Sequence, residues 1–113
     1  WIEIRDRMAD GANTVIISTG GGSVVSSDNW TAMTEGGFVV CLEARAETIV
    51  DRMEKTGKAY PMLDGGDKIL NIKTLKSARQ QYYALANWTI YTDDMEPEDV
   101  AMQVISIWRE NCP

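Results

Sequence analysis

The sequence predicts an α/β domain with a mainly parallel sheet covered by helices on both faces. Two observations carry that expectation. Short apolar runs rich in β-branched residues, at 14–17, 38–42 and 88–91, alternate with longer stretches whose apolar residues recur at helical spacing. Apolar residues make up 44% of the 113, enough for one domain over residues 1–113 to form a core without disulfides.

Taken in order, residues 1–10 carry Ile4, Met8 and Ala9 between charges, the end of an amphipathic helix that Gly11 stops. Thr14-Val15-Ile16-Ile17 reads as a buried strand that runs into a glycine cluster. Ser27-Asp28 cap a short helix over residues 30–33, and Gly36-Gly37 break it before a second buried strand at 38–42. From Ala46 to about Glu54, Ile49, Val50 and Met53 return at helical spacing, and Gly57, Pro61, Gly65 and Gly66 then mark a long polar loop. A helix from about residue 68 to 86 sets Ile69, Ile72, Leu75, Ala78 and Tyr82 on one side, and Trp88-Thr89-Ile90-Tyr91 follows as a third strand. Glu96-Pro97-Glu98-Asp99 opens the last helix, with proline in the tolerated first turn and acids at the positive end of the helix dipole. Its apolar stripe is Val100, Ala101, Val104, Ile105 and Trp108. Trp30, Trp88 and Trp108 sit beside apolar neighbours and are expected in the core.

Composition excludes several function classes. Seventeen acidic against eleven basic side chains give a net charge of −6, which opposes nucleic acid. The lysines at 55–76 are interleaved with Glu54, Asp64 and Asp67 and form no basic patch. With no histidine, histidine acid/base chemistry and the commonest metal ligand are out, and no metal site is expected within this chain. Cys41 and Cys112 lack zinc or disulfide-framework spacing, so a reducing cytoplasm fits. No apolar run reaches the roughly 20 residues that a membrane helix needs. The chain starts at Trp1 with no signal peptide after it, as expected of a piece of something longer.

The segment richest in chemistry is Ile17-Ser18-Thr19-Gly20-Gly21-Gly22-Ser23-Val24, an apolar strand running straight into three glycines. Glycine lets a ligand approach backbone amides with no side chain in the way, and open α/β sheets bind ligands at the carboxyl ends of their strands. A plain tight turn would use the same residues. A phosphate-binding Walker A loop is not encoded: the sole Gly-Lys, Gly57-Lys58, is followed by Ala59, and Arg52 stands where the motif's first glycine belongs.

The triple-glycine segment resembles the signature of shikimate kinases, and Val39-Val40-Cys41-Leu42-Glu43 with Ala46-Glu47-Thr48-Ile49 resembles the strand and helix that follow it there. Tyr60-Pro61-Met62-Leu63 is similar to that family's lid, within a lid-like loop at 54–68. Arg79 with Tyr82-Tyr83 resembles its arginine–tyrosine helix, and Thr92-Asp93 through Pro97-Glu98-Asp99-Val100 its adenine-side loop and last helix. The resemblance implies a three-layer αβα fold of the P-loop nucleoside-monophosphate-kinase-like type, incomplete at its N-terminal side. It further implies phosphorylation of shikimate by ATP with Mg2+, in aromatic amino-acid biosynthesis.

By the same resemblance Gly20, Gly21 and Gly22 meet shikimate through backbone amides, and Arg79, whose planar fork suits a carboxylate, holds its acid group. The alternative for Arg79 is a solvated helix arginine. Arg52 packs on the adenine and Pro97 flanks it; for Arg52 the alternative is a surface ion pair. The family's lid carries an arginine just before its proline, but Tyr60 stands there in this chain, leaving Lys58 as a substitute point charge and the catalytic groups unassigned. The P-loop and the magnesium-binding hydroxyl belong to the family's N-terminal segment, so this chain alone is expected to be inactive. That segment's strand lies centrally in the implied sheet, and without it the chain presents unpaired edges through which it could associate. A gluconate-type kinase and a non-catalytic kinase-like binding module are the competing readings.

Overall fold

The computed structural model describes residues 16–19, 21–57 and 66–111. A 3-10 turn, Gly21–Val25, leads into helix α1 (Ser27–Gly36), strand β1 (Val40–Glu43), helix α2 (Ala46–Thr56), helix α3 (Lys68–Tyr83), strand β2 (Trp88–Tyr91) and helix α4 (Pro97–Asn111). β1 and β2 pair in parallel, Val40 opposite Trp88 through Glu43 opposite Tyr91. A parallel pair needs a crossover, which α2 and α3 supply between the two strands.

Local chemistry sets most boundaries. The Ser26 hydroxyl accepts the Asn29 amide at 3.4 Å and caps α1, one residue before the expected Ser27-Asp28, and the helix runs beyond residues 30–33 at both ends. Gly57 ends α2 in the left-handed region at φ 66°, its N–H donating to the Met53 carbonyl at 3.1 Å. Asp67 caps α3, accepting from the Ile69 and Leu70 amides at 3.0 and 3.2 Å. α3 stops at Tyr83, short of the expected residue 86, because the amides of Leu85 and Ala86 turn back to the Tyr82 and Tyr83 carbonyls. β1 starts two residues later than expected: the Val39 N–H is taken by the Asn87 side chain at 2.7 Å.

The helix expected at 1–10 lies outside the described residues, as do Thr14 and Val15. Ile16 and Ile17 are in no strand, since among the described residues nothing pairs with them.

The main apolar cluster is Val24, Trp30 and Met33, packed against Val39, Tyr82, Tyr83 and Ala86. Trp30 is fully committed, its indole N–H donating to the Val24 carbonyl at 2.7 Å. Ile72, Ile90 and Ile107 are also buried. Four expectations about the core fail. Trp88 and Trp108 are exposed, β1 is not buried on both faces, and Ala78 of α3 faces water. On α4 it is Ile107 that is buried, whereas Ala101, Ile105 and Trp108 are exposed. An apolar stripe is buried only where another element meets it, and Leu42, Ile105 and Trp108 instead line an open cleft of about 840 Å³.

Candidate functional site

Two groups of polar residues stand at the ends of these elements. The first joins the glycine segment to α3. Gly22 lies in the 3-10 turn, and a side-chain carbon added there would come within 3.8 Å of the Arg79 Nη2 atom. Residues 21–25 are thereby set against the helix that carries Arg79, and the Val24–Trp30 cluster with Tyr82 and Tyr83 fixes that approach from the apolar side. Backbone amides and a half-buried guanidinium brought this close are groups that suit a small carboxylate with hydroxyl groups. Gly20 lies outside the described residues.

The second group ties the carboxyl ends of β1 and β2 to α2. The Thr92 hydroxyl donates to the Glu43 carbonyl at 3.0 Å, while the Arg52 guanidinium donates to the Thr92 hydroxyl at 3.0 Å and to the Thr92 carbonyl at 2.6 Å. Arg52, though exposed, is thereby tied to Thr92, and it holds the turn from β2 towards Pro97, where α4 begins. The Asp93 carboxylate accepts the Arg45 amide at 2.8 Å, the Thr48 hydroxyl at 2.7 Å and the Arg45 Nε at 3.3 Å. The Arg45 backbone N–H, then the Thr48 hydroxyl and the Arg45 side chain, hold the Asp93 carboxyl down to a pKa of about 2.

α2 has Arg45 at its N-cap and no side-chain cap of its own, so Asp93 supplies one from 48 residues away in sequence. The signal for this was present in the sequence only as a deficit: a helix opening at Ala46 with no Ser, Thr, Asp or Asn before it. Lys76 was not singled out either. Its ammonium donates to the Ala44 carbonyl at the end of β1, and together with burial and Glu43 it sets the environment of Cys41. Burial first and Glu43 second raise the Cys41 thiol above its ordinary range, with Lys76 opposing.

Lys58 and Tyr60 lie outside the described residues, and no lid geometry is assigned to 58–65. Among the described residues no cluster of acidic or sulfur side chains fits a divalent cation, and no helix is long and apolar enough to cross a membrane.

A family model described as shikimate kinase matches residues 4–109. The shikimate kinase of Caldicellulosiruptor bescii is 40% identical over 93 residues, which is 82% of this chain and 54% of that protein. The shikimate kinase of Symbiobacterium thermophilum is 36% identical over 110 residues, 96% of this chain and 63% of that protein. A crystal structure of shikimate kinase from Bacteroides thetaiotaomicron superposes with a TM-score of 0.71 at 21% identity, covering 94% of this chain and 64% of that one. This last likeness establishes the fold, of which the two-stranded parallel sheet and its helices are a part. The chain spans between about half and two-thirds of the length of the relatives it matches.

Proposed function

Because the chain belongs to the shikimate kinase family, we propose that it forms the shikimate-holding and adenine-side part of an enzyme that transfers the γ-phosphoryl group of ATP to the 3-hydroxyl of shikimate. The observation that carries this reading is the approach of Arg79 to Gly22. Arg79 bonds the substrate carboxylate through two parallel N–H donors, and the amides of Gly20, Gly21 and Gly22 bond its hydroxyls. Fixing the ring at one end leaves the reacting hydroxyl at a defined place, which is most of what phosphoryl transfer asks of a protein.

On the nucleotide side Arg52, immobilised by Thr92, and Pro97 at the start of α4 flank the adenine. A guanidinium whose N–H groups are bound to Thr92 keeps its flat face free for stacking on a base. In the transfer the bond from the γ-phosphorus to the bridging oxygen breaks, the bond to the shikimate oxygen forms, and the hydroxyl proton leaves. Mg2+ supplies charge neutralisation on the phosphates when bound, but the described residues offer it no ligand set, so no step is assigned through it. Lys58 stands in for the lid arginine that Tyr60 replaces. The chain has no Gly-Lys-Ser/Thr loop and is inactive by itself. Small-molecule substrates in the cytoplasm, and neither nucleic acid nor membrane, are its ligands.

Calorimetric titration of shikimate tests the reading. Removing a bidentate bond to a charged group costs about 1.5–3 kcal/mol, so Arg79→Ala weakens binding by roughly 10- to 150-fold while circular dichroism stays unchanged. Equal binding by the wild type and Arg79→Ala would remove Arg79 from the site. Preference for gluconate over shikimate would move the chain's substrate to another small hydroxy acid.

A further inference from the structure

At the carboxyl end of β1 one cation stands apart from its neighbours. The Lys76 ammonium donates to the Ala44 carbonyl, and the residue is half-buried beside the cleft that Ser18, Thr19, Glu43 and Ala44 also line. Nearby cations are already engaged: Arg45 lies on Asp93, Arg52 is bonded to Thr92, and Lys73, one turn earlier on α3, pairs with Glu47 at 3.5 Å. Lys76 forms no ion pair among the described residues. A bond to a neutral carbonyl leaves its charge uncompensated, and an ammonium with one N–H spent has two more to donate.

The place of this charge is defined by α3. Lys76 precedes Arg79 by three residues, so the two side chains leave one face of the helix with origins roughly 5–6 Å apart. Arg79 comes close to the glycine turn at Gly22, whereas Lys76 reaches the end of β1. Thr19, just before the three glycines, borders the same cleft as Lys76. A molecule held at one end by Arg79 and the turn amides can thus present its other end to Lys76.

The chemistry of that other end follows. A half-buried ammonium without a carboxylate favours an anionic group, and open α/β sheets bind ligands at the carboxyl ends of their strands. On shikimate the carboxylate and the 3-hydroxyl stand on ring carbons separated by one other, a span comparable with that between side chains one helical turn apart.

Resting on the shikimate reading, we propose that Lys76 is a substrate-binding residue at the phosphoryl end of the site: it meets the phosphoryl group on the 3-oxygen while Arg79 holds the carboxylate. The bond to Ala44 fixes the ammonium at the sheet end before any ligand arrives. Lysine suits the task because a phosphoryl group spreads its charge over three oxygens, which a compact cation with several donors meets without a fixed plane.

The test titrates shikimate and shikimate 3-phosphate separately into the 113-residue chain and reads the ratio of the two affinities by calorimetry. The phosphorylated compound should bind at least about tenfold more tightly to the wild type, as a hydrogen bond between charged groups provides. Lys76→Gln replaces the charge by a neutral donor, and should bring the ratio close to one with shikimate affinity retained. Lys76→Arg should restore most of the ratio. A merely structural tie between α3 and β1 would instead move both affinities together.

Equal binding of the two compounds by the wild type, or a ratio unchanged in Lys76→Gln, overturns the proposal. So does a ratio lost in Lys58→Gln but kept in Lys76→Gln, which would assign the phosphoryl group to the lid-like loop. Arg79-dependent shikimate binding with a ratio near one removes Lys76 alone, whereas failure to bind either compound removes the shikimate reading with it.

Discussion

The carboxyl ends of β1 and β2 and the free edge of β1 belong to the same small sheet, but they are finished in opposite ways. At the ends, Thr92, Asp93, Arg52, Arg45 and Thr48 form a network in which no buried side-chain nitrogen or oxygen among the described residues lacks a partner. Along the edge, Leu42, Ile105 and Trp108 stand open, and among the described residues the backbone of Val40 and Leu42 has no strand beside it. The contrast follows from the forces involved. Hydrogen bonds are short and directional, so an unsatisfied polar group is costly and must be served locally. Apolar burial is non-directional and scales with area, so a surface can wait for whatever covers it.

Exchange of tryptophans breaks or sharpens this comparison most strongly, since Trp30 and Trp108 line the same cleft but differ in commitment. Trp30 is 7% exposed and hydrogen-bonded, so Trp30→Ala should cost about 3–5 kcal/mol in urea unfolding. Trp108 is 38% exposed and makes no hydrogen bond of this kind among the described residues, so Trp108→Ser should cost less, about 1–2 kcal/mol. Comparable losses at both positions would mean that the cleft is already closed within the chain.

Next in size is Thr92→Val, which keeps the shape but removes the hydroxyl shared by Glu43 and Arg52. The cost should be about 1–3 kcal/mol, because the Glu43 carbonyl loses one of its two donors and Arg52 loses an acceptor. A neutral result would show that the strand ends are held by the backbone bonds alone.

The smallest effect is the one that depends on pH. Asp93 titrates at about 2 in the folded chain against an ordinary 3.8, so its contribution is fully present above pH 3.8 and is lost as pH falls towards 2. Asp93→Asn should be less stable than the parent at neutral pH and should flatten the acid limb of the stability curve between those values. Parallel curves for the two proteins would detach Asp93 from the capping of α2.

Much of this architecture was legible in the one-dimensional pattern. The strand at 88–91 was placed to the residue, and the helix from Ala46 and that from Pro97 began where periodicity and proline put them. Those are local preferences, expressed within a turn or two of chain. Arg79 and the glycines were named from a family resemblance, and the fold sets Gly22 within reach of Arg79 across 57 positions of sequence. Arg52 was read as an adenine contact or a surface ion pair; its hydrogen bonds to Thr92 were not foreseen.

By itself, then, the sequence determined the order and type of the elements from residue 27 onward, the family, and which residue kinds could meet an acid. Tertiary structure alone decided that Asp93 caps α2, that Arg52 braces the turn after β2, and that Ile107 rather than Trp108 is buried. The reason is physical. Periodicity shows that a helix has an apolar face, but only the neighbour packed against it determines how much of that face leaves water. A polar side chain's partner 40 or more residues away is likewise set by where the backbone returns, which no local propensity encodes.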